Sequence, residues 1–139
     1  MRSLLLIVAV IWIVVPAAPM PAFGEDARFS ICAELPYRNC VHSGELIYLR
    51  GEPIRLADVV SPDRYMPGCP AASNISWYAA IRLRDLLNQG TFELIEPEDG
   101  GHGEPRRRIE RYGKSLGDVL VAEGLARRRT AGPPDWCDE

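Results

Sequence analysis

Four cysteines, Cys32, Cys40, Cys69 and Cys137, are the first residues whose type and spacing constrain the chemistry of this chain. Thiols can hold zinc or oxidise in pairs. The spacing argues against zinc, because there is no CxxC and only His42 and His102 could add nitrogen ligands. An even cysteine count behind an export signal argues for two disulfides. Three pairings are possible. Proximity in the sequence favours Cys32–Cys40, closing a short loop around Pro36, and Cys69–Cys137, tying the chain end to its middle. The longer loop contributes about 4 kcal/mol in the chain-entropy model. His42, next to a strand, and His102, in a glycine loop, are weak candidates for proton transfer; packing and loop polarity account for them. Two arginine runs, Arg106–Arg108 and Arg127–Arg129, could meet nucleic acid or an acidic polysaccharide, but such runs are more often solvated faces. Trp77 and Trp136 read as packing residues.

The elements that position these residues begin after an export signal. Arg2 precedes an unbroken apolar run, Leu4 to Val15, and Pro16 ends it. Twelve helical residues rise about 18 Å, short of the roughly 30 Å of a bilayer core. Ala22-Phe23-Gly24 offers small residues at a peptidase site, so cleavage is expected before Glu25. The alternative is an uncleaved membrane anchor. Residues 25–139 then carry fifteen basic and nineteen acidic side chains, a net charge of −4. Binding nucleic acid by phosphate neutralisation usually needs a basic protein, which this is not.

Along the mature chain, Cys40 to Val60 reads as a meander of strands, with Arg50-Gly51-Glu52-Pro53 as a turn. Pro62 to Pro70 reads as a loop. A helix follows, capped at Ser73 or Asn74, with Ile75, Tyr78, Ala79, Leu83, Leu86 and Leu87 on one face, and stopped by Asn88-Gln89-Gly90. Thr91–Ile95 is a strand, and Arg106–Arg111 another around Ile109. Ser115-Leu116-Gly117-Asp118 resembles a capping box for a short helix ending near Gly124. Three strands, a helix, more strands and a helix is the order of a five-stranded barrel with helices packed against it, an α+β fold that is mainly β. The domain organisation is a signal peptide (1–24), one domain (25–128) and a tail (129–139) tied back by Cys137.

Three stretches resemble the staphylococcal-nuclease (thermonuclease) family, exported calcium-dependent nucleases built on an OB-type barrel. Val41-His42-Ser43-Gly44-Glu45 is similar to its valine-rich strand and Asp-Gly-Asp-Thr turn. Ile54-Arg55-Leu56-Ala57-Asp58-Val59-Val60-Ser61-Pro62-Asp63 resembles its strand, arginine and Asp-Thr-Pro-Glu loop, and Leu116–Ala126 its final helix. Together these span about residues 38–128. The family holds calcium with carboxylates, grips the phosphodiester with two arginines, and places water with a glutamate.

The resemblance implies a depleted site. Ser43 replaces the first aspartate of the turn, Glu45 the second, and Val60 a calcium-binding aspartate, while Asp63 stands for the glutamate. Arg55 retains the first arginine. Tyr112-Gly113-Lys114 lies too close to the last helix to carry the second, which leaves His102-Gly103-Glu104, with Glu104 at the arginine position. Losing one such electrostatic donor costs about 3 kcal/mol of transition-state stabilisation. The expectation is therefore a non-catalytic binding or accessory module, periplasmic or secreted, monomeric, and without a cofactor. Related exported nuclease-like proteins accompany exopolysaccharide synthesis, which makes an acidic polysaccharide one implied partner. The alternative is a weak or altered calcium-dependent phosphodiesterase. In it Glu45, Asp58 and Asp63 hold the metal, Asp63 also places water, and Arg55 binds phosphate.

Overall fold

The computed structural model describes residues 27–97, 106–130 and 134–137. The signal segment 1–24, its cleavage before Glu25, and the loop carrying His102 and Glu104 lie outside the described residues.

The fold is mixed α+β, with nine short strands and two helices among the described residues. Strands β1 (Ser30–Ile31), β2 (Cys40–Val41), β3 (Leu46–Leu49) and β4 (Glu52–Leu56) lead into β5 (Val59–Val60) and helix α1 (Pro70–Leu87). Then follow β6 (Glu93–Ile95), β7 (Arg106–Arg111), β8 (Lys114–Ser115), helix α2 (Leu116–Ala122) and β9 (Arg127–Arg128). The main sheet runs β1-β2-β3-β4-β7-β6, with β8 on β7; β5 and β9 form a separate ladder. Among the described residues no ladder joins β1 to β6.

The meander follows from local chemistry. In β3, Ile47 and Leu49 enter the core while Leu46 and Tyr48 stay half-buried, the period of two that a one-sided strand requires. Arg50 and Gly51 both take positive φ, 53° and 88°, the two-residue turn whose twist matches that of a hairpin. Tyr112 and Gly113 repeat this at 52° and 72° between β7 and β8, so Tyr112-Gly113-Lys114 is a hairpin tip. Just before Cys32 lies a two-residue strand: β1 pairs in parallel with β2, Ser30 against Cys40. Such a short parallel connection is unusual. The Cys32–Cys40 disulfide closes it, and the Cys69–Cys137 disulfide ties the tail to the start of α1. Both pairings are those that proximity favoured.

Helix α1 starts earlier than Ser73. Cys69 is its N-cap residue and Pro70 opens the first turn, where a missing N–H costs nothing. Its buried face is Ala72, Ser76, Ala79, Ala80, Leu83, Leu86 and Leu87. Tyr78, expected on that face, is 61% exposed, because the buried arc is centred on Ser76, Ala79, Ala80 and Leu83 and leaves Tyr78 at its edge. At its C-terminus Asn88 accepts from the Phe29 N–H (2.8 Å) and donates to the Phe29 carbonyl (2.9 Å), clamping the incoming chain. Ser115 caps helix α2, its Oγ accepting from the Gly117 N–H at 3.0 Å, but the capping box does not close: Asp118 pairs with Arg128 instead. It ends in a Schellman pattern, with Leu125 N–H on Leu120 O and Gly124 N–H on Val121 O. One continuous core, including Val41, Ile47, Leu56, Val59, Leu83, Leu87, Phe92, Ile109 and Leu120, lies between the sheet and the two helices.

Candidate functional site

Sheet pairing brings the polar residues together. Strands β4 and β7 run in parallel with Arg55 opposite Arg106. The β5–β9 ladder ends at Val59 opposite Arg128, which delivers the next residue, Arg129, to the end of β4. Glu45 enters from the turn before β3, where its carbonyl accepts from the Leu56 N–H at 2.7 Å. A cleft of about 500 Å³ opens here, lined among others by Glu45, Ser61, Asp63, Arg106, Arg129 and Trp136. A second, of about 420 Å³, lies beside it, lined by Asp58, Glu96, Arg108 and again Arg106 and Arg129.

Glu45 is the hub. Its Oε1 accepts from Arg55 Nη1 at 2.7 Å and its Oε2 from Arg129 Nη2 at 3.2 Å. Arg129 also donates from Nη2 to the carbonyls of Leu56 (3.0 Å) and Val59 (2.8 Å), and from Nε to that of Ala57 (3.1 Å). Burial lowers its pKa, and Arg106 and Arg55 add repulsion, while Glu45 opposes both. A guanidinium stays protonated nonetheless. A carboxylate oxygen and a ring of carbonyls is the donor set of a hard cation. Here the chain's own guanidinium fills it, so the residues present do not fit calcium.

The other sequence candidates are spoken for. Asp58 faces the smaller cleft. Its Oδ2 accepts from Ser115 Oγ at 2.5 Å, and a side chain at Gly117 would press on both its carboxylate oxygens, so it braces the start of α2. Among the described residues Glu45, Asp58 and Asp63 do not converge, and no group of three metal-ligating side chains forms. Asp63 Oδ1 accepts from the N–H groups of Tyr65 (2.7 Å) and Met66 (2.9 Å) and so folds the loop after β5. Burial acts to raise its pKa, but those two N–H groups, with His42 and Arg55, hold it below the ordinary carboxylate value. That makes it a poor base near neutral pH. Glu104 lies outside the described residues.

His42 packs among Tyr37, Tyr48 and Tyr65, with ring centroids 5.1–6.5 Å away. Burial lowers its pKa, helped by Arg64 and Arg55 and opposed by Asp63, so it is neutral at pH 7. Both tryptophans, expected to be packing residues, lie under arginine guanidinium groups. Trp77 is 47% exposed and stacks with Arg64, centroid distance 4.8 Å. Trp136 stacks with Arg127 at 4.6 Å and walls the larger cleft.

The arginine runs are where sequence reasoning missed the site. Arg107 pairs with Glu96 at 2.7 Å and Arg108 with Glu110, in keeping with a solvated face. Arg106 and Arg129, from the same runs, line both clefts. The available signal was the strand period, which for the run Arg106–Arg108 in β7 sends alternate side chains to opposite faces; Arg129 lies one residue past β9 and carries no such signal.

Comparison with protein-family models, with curated proteins and with solved structures finds no match to this chain. The resemblance to the thermonuclease family therefore rests on the three stretches quoted above.

Proposed function

We propose that this chain is an exported, non-catalytic binding module on a thermonuclease-like scaffold, working in the periplasm or outside the cell as a monomer. Its partner is an anionic polymer, nucleic acid or an acidic polysaccharide. The two disulfides support an oxidising compartment. Among the described residues no helix is long and apolar enough to cross a membrane. The meander β2-β3-β4, the parallel β4–β7 pair and the antiparallel β7–β6 pair support a partly open five-stranded barrel of the OB type.

The single observation that carries the reading is Arg129. Its guanidinium bonds to three backbone carbonyls and to Glu45, a carboxylate that the calcium-dependent alternative would need for the ion. Calcium there would meet a fixed positive charge at hydrogen-bond distance from its own ligands. Arg55 is engaged with Glu45, and Asp63 is committed to its loop. The purified protein titrated with calcium by isothermal calorimetry should give no binding heat at millimolar ion. Saturable binding that Glu45→Gln removes would overturn the reading and restore the phosphodiesterase alternative.

A further inference from the structure

Within the larger cleft one cation lacks an acceptor. Arg106 lines both clefts, yet among the described residues its guanidinium makes no hydrogen bond and no ion pair, and its Nε is buried without a partner. A buried donor without an acceptor is costly and calls for an explanation. Arg129 and Arg55 are already shared by Glu45. The charge around the cleft then decides the ligand. Arg106 and Arg129 balance Glu45 and Asp63 in the lining, and Arg55, joined through Glu45, leaves one positive charge over. A monoanion neutralises that excess. A dianion overshoots it and faces two carboxylates.

The walls add shape. Met66, Pro67, Pro134 and Trp136 give the cleft an apolar side, and the neighbouring Cys69–Cys137 disulfide anchors the segment that carries Trp136. About 500 Å³ is within the range of small-molecule sites. A guanidinium fork matches a planar carboxylate with two parallel hydrogen bonds.

We propose that this cleft binds a monocarboxylate carried on a ring-sized body, with Arg106 gripping the carboxylate and Trp136 and Met66 packing against the ring. The inference deepens the binding-module reading and rests on it. The carboxylate comes either from a free small molecule or from the repeating unit of an acidic polymer, and the probes separate these sources.

Calorimetry of the purified protein would compare glucuronate, glucose, dimethyl phosphate, inorganic phosphate and an oligomer of glucuronate. Glucuronate should bind and glucose should not. Arg106→Gln should weaken binding about tenfold or more, and Arg106→Lys should recover part of the loss. Chemical-shift mapping on the unmodified protein should move the Arg106 and Trp136 side-chain signals, which needs no variant to fold. An oligomer that binds far more tightly than the monomer identifies a polymer; equal affinity per residue identifies the free acid. No glucuronate binding, unchanged affinity in Arg106→Gln, or tighter binding of dimethyl phosphate would overturn the proposal. Its failure is separable from that of the binding-module reading. Calcium binding alongside intact glucuronate binding removes only the latter, and absence of both removes only the former.

Discussion

Replacing Arg129 by alanine should be the most damaging single change at this site. The side chain makes four hydrogen bonds, three to carbonyls between Leu56 and Val59 and one to Glu45. Alanine leaves those carbonyls to water and leaves Glu45 with Arg55. Removing one partner of a buried charge pair costs about 3–5 kcal/mol. Arg129 and Glu45 retain 22% and 16% side-chain exposure and Arg55 still neutralises the carboxylate, so the lower end applies, about 3 kcal/mol. For a domain of this size that corresponds to a fall in Tm of roughly 12 °C. Urea unfolding followed by circular dichroism would measure it, with the slope checked for two-state behaviour. Arg129→Met keeps the aliphatic stem and should lose nearly as much, because the hydrogen bonds are lost in both. Low-millimolar guanidinium should restore part of the stability of the alanine variant and do nothing for the wild type. An alanine variant as stable as the wild type, or a methionine variant that fully recovers, would refute the internal-cation reasoning.

Gly44→Ala should destabilise by about 1–3 kcal/mol through overpacking, since a Cβ there would sit 2.5 Å from Ser61 Oγ and 2.6 Å from Ala79 Cβ; urea midpoints test this. Replacing Cys69 and Cys137 together by serine should cost about 4 kcal/mol, against about 2.5 for Cys32 and Cys40, because the closed loop is longer; unfolding of the two variants without reductant ranks them. Stability should fall as pH drops below about 6.5, since the unfolded chain takes up a proton that buried His42 resists. The fall should flatten once the pH is below the folded pKa, and His42→Phe should remove this step from a series of urea midpoints. Asp63, whose folded pKa is depressed, contributes fully above about pH 4 and loses its contribution below that; Asp63→Asn should flatten the stability profile there.

The legible parts of the fold were those set by local pattern. The alternation of Ile47 and Leu49, the Arg50-Gly51 turn, the stop at Asn88 and the Ser115 cap follow from periodicity and turn chemistry within a few residues. The start of α1 was misread because Pro70 looks like loop composition, although proline in the first turn is well placed. Strand β1 was missed because two residues carry no period, and its pairing comes from a disulfide loop. The site was legible in part. Glu45 and Asp63 line one cleft and Arg55 is bonded to Glu45, but Asp58 turns to Ser115. Arg129 was hidden because its role depends on the pairing of β5 with β9, Val59 with Arg128 and Val60 with Arg127, which no local window contains.

Calcium-dependent cleavage of single-stranded DNA by the purified protein, with Arg55→Ala as background, tests the central claim most directly. With Arg129 in the cation position, cleavage should stay at the level of the Arg55→Ala variant at every calcium concentration. Cleavage that requires calcium and disappears in that variant would show that a catalytic ion binds despite Arg129, and the binding-module account would be wrong.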